Sequence, residues 1–139
     1  MNIINEVVAH HRELALTNPS FVPDLAQSLN DLSVQQYNAA DWTGALQSIT
    51  EAVTLYRQLA DANRAFLTRL AESVINLYIY QNTVGDRIGA LRSITEAVAL
   101  DRQLAASDPA FLSRLAASLN DLGVRQCDTG DRGGALQSI

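Results

Sequence analysis

The sequence contains no lysine; all ten basic residues are arginines. Schiff-base chemistry and lysine general-base catalysis are therefore excluded within the chain. Cys127 is the only cysteine, so no intrachain disulfide forms, which fits a reducing compartment. His10 and His11 are the only histidines, and they are adjacent. On a helix they would point about 100° apart, and no Cys/His/Asp cluster stands beside them at metal-ligand spacing, so no metal site is expected. No apolar run approaches the roughly 18–20 residues that a membrane-spanning helix needs. The opening residues, Met1-Asn2-Ile3-Ile4-Asn5-Glu6, lack the basic region of a secretory signal. The arginines are not clustered and the net charge is −5, so a surface that tracks phosphates is not expected either. These absences predict a soluble, cytoplasmic protein with no cofactor and no nucleic-acid or membrane partner.

What the sequence does contain is repetition. Leu25-Ala26-Gln27-Ser28-Leu29-Asn30-Asp31-Leu32 returns as LAASLNDL at 115–122, with LAESVINL at 70–77 between them, a period of 45 residues both times. Residues 45–60 and 90–105 differ at three of sixteen positions, and ALQSI returns at 135–139. Such long matches at one fixed spacing define a repeat architecture. Of the 139 residues, 47% are hydrophobic, enough for one domain with a real core.

Each repeat reads as two helices. Leu25, Leu29, Leu32 and Gln36 line one face of the first. Trp42, Ala45, Leu46, Ile49, Ala52, Val53, Tyr56, Leu59 and Ala60 fall at helical spacing in the second. Asn18, Asn63 and Asp108 are expected to cap the first helices, with Pro19 and Pro109 in their first turns. Pro23 conflicts with a helix started at Asn18, so that helix either begins later or has a distorted first turn. Asp41, Asp86 and Asp131 are expected to cap the second helices. Gly85 and Gly130 stand where a left-handed helix stop is wanted; Ala40 in the same position should strain the turn or move the stop to Asn38. Gly44, Gly89 and Gly134 read as first-turn residues that allow close packing. The boundaries are a partial helix at 1–16, repeat one at 18–61, repeat two at 63–106 and a truncated repeat three at 108–139, all in a single domain.

By length alone, the period fits HEAT or armadillo units better than a tetratricopeptide unit. The residue types argue for the latter. Leu32-Ser33, Gln36, Ala40, Ala45, Ile49 and Ala52 follow the spacing of its pattern. So do Leu77-Tyr78, Gln81, Gly85, Ala90, Ile94 and Ala97, and Leu122-Gly123, Gln126, Gly130, Ala135 and Ile139. Departures are Gln in place of an aromatic in every repeat, Tyr78 in place of a small residue, and no Pro ending the second helix. With Leu29-Asn30-Asp31-Leu32-Ser33 and Leu119-Asn120-Asp121-Leu122-Gly123, the chain resembles long-unit tetratricopeptide arrays such as those of kinesin light chain. Similar arrays are attached to bacterial signalling proteins. The resemblance implies an all-α fold, a right-handed superhelical solenoid of antiparallel helix pairs with partial units at both ends.

The same resemblance implies a groove. Opposite the core face of each first helix runs a row: Gln27, Asn30, Val34 and Tyr37, then Glu72, Ile75, Ile79 and Asn82, then Ala117, Asn120, Val124 and Cys127. In a tetratricopeptide superhelix it would line the concave side. The peptide-binding candidates are Asn30, Val34, Tyr37, Ile79, Asn82, Asn120 and Val124, with aliphatics to take side chains and amides to bond backbone. The alternative is that the row buries itself against neighbouring repeats or a second copy. No acid–base pair or activated nucleophile can be nominated, so no enzyme is expected. The function expected is a protein-interaction scaffold; the alternatives are a self-association module and the regulatory array of a larger signalling ATPase or protease. Leu115, Leu119 and Leu122 are expected to be incompletely covered, which favours a homo-oligomer formed through the C-terminal end.

Overall fold

The computed structural model describes residues 3–128. Among them every regular element is helical: α1 (Ile3–Thr17), α2 (Val22–Asn38), α3 (Trp42–Ala62), α4 (Leu67–Thr83), α5 (Arg87–Ser107) and α6 (Leu112–Asp128). One-turn 3-10 segments, Pro19–Phe21, Arg64–Phe66 and Pro109–Phe111, precede α2, α4 and α6. The chain divides into two compact units, Met1–Ser73 and Val74–Ile139, with the boundary inside α4 rather than between sequence repeats.

The turn chemistry recurs with the sequence. Asn18, Asn63 and Asp108 do not cap the α-helices, as the sequence suggested. Their side chains accept from the backbone N–H of Ser20, Ala65 and Ala110, at 3.0, 2.9 and 3.0 Å, and so cap the 3-10 segments. The α-helices start three residues later, which resolves Pro23: it stands in the first turn of α2, where its missing N–H costs nothing. Repeat two makes the same turn without proline, so the Asx hydrogen bond carries it.

The stop between paired helices is also repeated. Ala40 N–H reaches the Tyr37 carbonyl and Asp41 N–H reaches that of Gln36, with Gly85 and Asp86 reaching Asn82 and Gln81 in the same way. This double bond pattern needs a left-handed residue, and Gly85 provides it at φ +83°. Ala40 adopts φ +62° instead, so α2 stops at Asn38 and the strain is also accepted. Asp41 and Asp86 then cap α3 and α5, accepting from Gly44 and Gly89 N–H at 3.0 and 2.9 Å. Asp131, Gly130, Gly134, Ala135 and Ile139 lie outside the described residues.

In the first unit, α2 packs on both α1 and α3. Leu25, Leu29 and Leu32 of α2 are buried, as are Ala45, Ile49, Ala52 and Val53 at helical spacing on α3. Ala26, Ser33, Ala45 and Ala52 have no exposed surface, and their small size sets the close approach of the helices. Each buried leucine contributes about 1.5–3 kcal/mol. Trp42 departs from the expected buried face: as the first residue of α3 it is 39% exposed. In the second unit, α5 packs on α6, with Ala90, Ile94, Ala97 and Val98 buried. There Leu115, Leu119 and Leu122 are only half-buried, unlike Leu25, Leu29 and Leu32.

Candidate functional site

The residues of the expected row retain different amounts of surface. On α2, Asn30 is half-buried and its side-chain oxygen accepts from the Ser73 hydroxyl at 3.1 Å. One turn on, Val34 is 38% exposed. Tyr37 is half-buried, its ring 5.1 Å from that of Trp42 and edge-on to it. In the second unit, Ile79 is 39% and Val124 41% exposed. Asn82 and Asn120 are exposed, and Arg125 Nη1 donates to Asn82 Oδ1 at 2.6 Å. Arg125 was not among the sequence candidates, because its partner lies a full repeat away.

Gln36 and Gln81, one repeat apart, hold paired helices together. Ser48 and Ser93 hydroxyls donate to Gln36 and Gln81 Oε1 at 2.7 and 2.6 Å, tying α2 to α3 and α4 to α5. A Cβ on Gly44 would stand 2.8 Å from Gln36 Nε2 and would collide with the Asp41 cap; Gly89 is held by Gln81 and Asp86 in the same way. Glutamine, serine, cap and glycine form one repeated unit, and these glycines are required by it.

A second polar position varies between repeats. His11 Nδ1 lies 3.1 Å from the Ser28 hydroxyl, which itself donates to the Leu25 carbonyl. Tyr56, in the equivalent place, donates to Gln27 Oε1 at 3.3 Å. Burial there pushes its phenol up to about 12. Asp101 is almost fully enclosed: Ser118 donates to its Oδ2 at 2.6 Å and Arg114 stands 3.4 Å from its Oδ1. Arg114 also lies over the Phe111 ring, 5.6 Å from its centre. The buried carboxylate therefore joins α5 to α6.

His10 is exposed, and among the described residues no group of three His, Cys, Asp or Glu side chains is placed to hold a metal ion. Cys127 is exposed. No helix among the described residues is long and apolar enough to cross a membrane. No protein-family model matches the chain, and no curated protein sequence matches it.

Proposed function

We propose that the chain is a helical-repeat module of the tetratricopeptide type that binds other proteins through an extended or helical segment. The observation that carries this reading is one register position. Val34, Ile79 and Val124 stand 45 residues apart, each inside a first-type helix, and each is left partly exposed. Single exposed aliphatics are ordinary on a protein surface. Their recurrence at one position, on the side away from Leu32 and Leu77, suits side-chain pockets for a polypeptide partner. Asn82 and Asn120 beside them offer amides to its backbone. The reading assigns the chain no catalysis and no cofactor, and the exposed thiol of Cys127 fits a reducing, cytoplasmic setting.

Peptide-display selection on the isolated chain tests this. Selected binders are expected to lose at least about tenfold in affinity when Val34, Ile79 or Val124 is changed to Asp, with the melting temperature unchanged. Binders insensitive to all three substitutions would overturn it. A second reading, self-association, is favoured by α6, where Leu112 is exposed and Leu115, Leu119 and Leu122 are half-buried. Sedimentation of the chain at micromolar concentration separates the two, since a 15.1 kDa monomer removes the second reading.

A further inference from the structure

The first unit carries a surface feature that the repeat does not copy. Where repeat one has Tyr37 and Trp42, repeat two has Asn82 and Arg87, and repeat three has Cys127 and Arg132. Tyr37 and Trp42 meet edge to face at the turn between α2 and α3; Trp42 and Val34 are partly exposed, as are Asp41, next to Trp42 in sequence, and Asp31, one turn before Val34 on α2. Tryptophan and tyrosine are the residues that dominate binding energy at protein interfaces. Trp42 keeps 39% of its surface and Tyr37 is half-buried, so both rings retain accessible area.

The sequence that flanks the pair carries charge of one sign. From Glu13 to Tyr56 the chain contains no basic residue and five carboxylates, Glu13, Asp24, Asp31, Asp41 and Glu51. Of these, Asp41 adjoins Trp42 in sequence and Asp31 lies six residues before Tyr37 on α2, about 9 Å at helical rise. The corresponding stretch of repeat two, 58–101, contains Arg64, Arg69, Arg87 and Arg92. Within the first unit, Arg12 is taken up by a two-pronged bond to Glu51, which raises its pKa, and Arg69 stands beside Glu72. Arg57 is fifteen residues along α3 from Trp42, about 22 Å at helical rise and well beyond a Debye length of about 8 Å, and Arg64 follows the far end of α3. The last turn of α2 has no basic residue to offset its carbonyl end, and Asp41 offsets the opposite end of α3.

We infer that the Val34–Tyr37–Trp42 surface is a docking point for a basic, apolar linear segment, an arginine or lysine lying on the Trp42 indole and an aliphatic side chain on Val34. A cation at that place gains the ring's negative face and the attraction of Asp41 and Asp31 together. An acidic segment meets repulsion there. The inference deepens the protein-binding reading and rests on it.

Trp42 is the only tryptophan, so its emission reports contact directly. The probes are three synthetic peptides of equal length, alternating leucine with arginine, with glutamate or with serine. The arginine peptide is expected to shift Trp42 emission and to bind at least about tenfold more tightly than the other two, the difference shrinking as salt is raised. By calorimetry, Trp42→Ala and Tyr37→Ala should each weaken it by about tenfold or more, and Asp31→Asn by several fold. Trp42→Lys, which keeps an exposed long side chain, should abolish the preference, with circular dichroism confirming the fold of each variant. If the three peptides bind equally, or the arginine peptide binds Trp42→Ala unchanged, this inference falls while the protein-binding reading stands. If none of the three binds and displayed peptides also fail, both fall.

Discussion

Ala40 sits at φ +62°, a region where an L side chain costs roughly 1–2 kcal/mol. Replacing it with glycine removes that strain and returns about 0.4–1 kcal/mol of entropy to the unfolded chain. Ala40→Gly should therefore stabilise by about 0.5–1 kcal/mol, and Gly85→Ala should destabilise by a similar amount, both read from urea midpoints. At Gly85 nothing stands within 4 Å of an added Cβ, so that variant measures backbone strain without a clash. Tyr56 offers a second residue-level test. Its folded pKa is raised to about 12, chiefly by burial, while the unfolded phenol titrates near 10. The folded state thus keeps a proton that the unfolded state loses. The stability this brings is complete below about pH 10 and is lost as pH rises toward 12. Tyr56→Phe should flatten the fall of urea stability across that window, by an amount on the order of 2 kcal/mol. An unchanged slope would mean that the phenol is not held protonated.

At the scale of elements, the devices that were legible in the sequence act within a few residues. Asp41 and Asp86 were readable as caps because a cap bonds an N–H three residues on. The row of Val34, Ile79 and Val124 was readable because helical period and repeat period fix a residue's side. Asn18-Pro19 was misread because the same pair starts a 3-10 turn or an α-helix, and only the backbone after it decides. The Gln36–Ser48 bond, the Asn82–Arg125 bond and the enclosed Asp101 were not readable, since their partners lie twelve or more residues away on another helix. Glycine provides the matching test. Gly44→Ala should cost about 1–2 kcal/mol, because the new methyl displaces the Asp41 cap and the Gln36 amide. Gly123→Ala, inside α6 with open space at its Cβ, should stabilise by roughly 0.5–1 kcal/mol. Thermal melts of the two variants should move in opposite directions.

For the whole molecule, near-identical sequence does not mean equal energy. Leu29-Asn30-Asp31-Leu32 and Leu119-Asn120-Asp121-Leu122 are the same four residues in the same helical register. Leu29 is 2% exposed, whereas Leu119 is only half-buried. A leucine truncated to alanine loses the transfer energy of the atoms removed, plus a cavity term where the surroundings cannot collapse. Both terms are near their maximum at Leu29 and reduced at Leu119, where water already touches the side chain. Leu29→Ala should accordingly cost about 3–5 kcal/mol and Leu119→Ala under about 2 kcal/mol. Hydrogen exchange should place each loss in its own unit: amides of α2 and α3 for the first, of α5 and α6 for the second. The comparison measures how unevenly the core is distributed along the chain. Equal costs at the two leucines would mean that Leu119 is as enclosed as Leu29. The half-exposed face of α6, and the self-association reading built on it, would then be wrong.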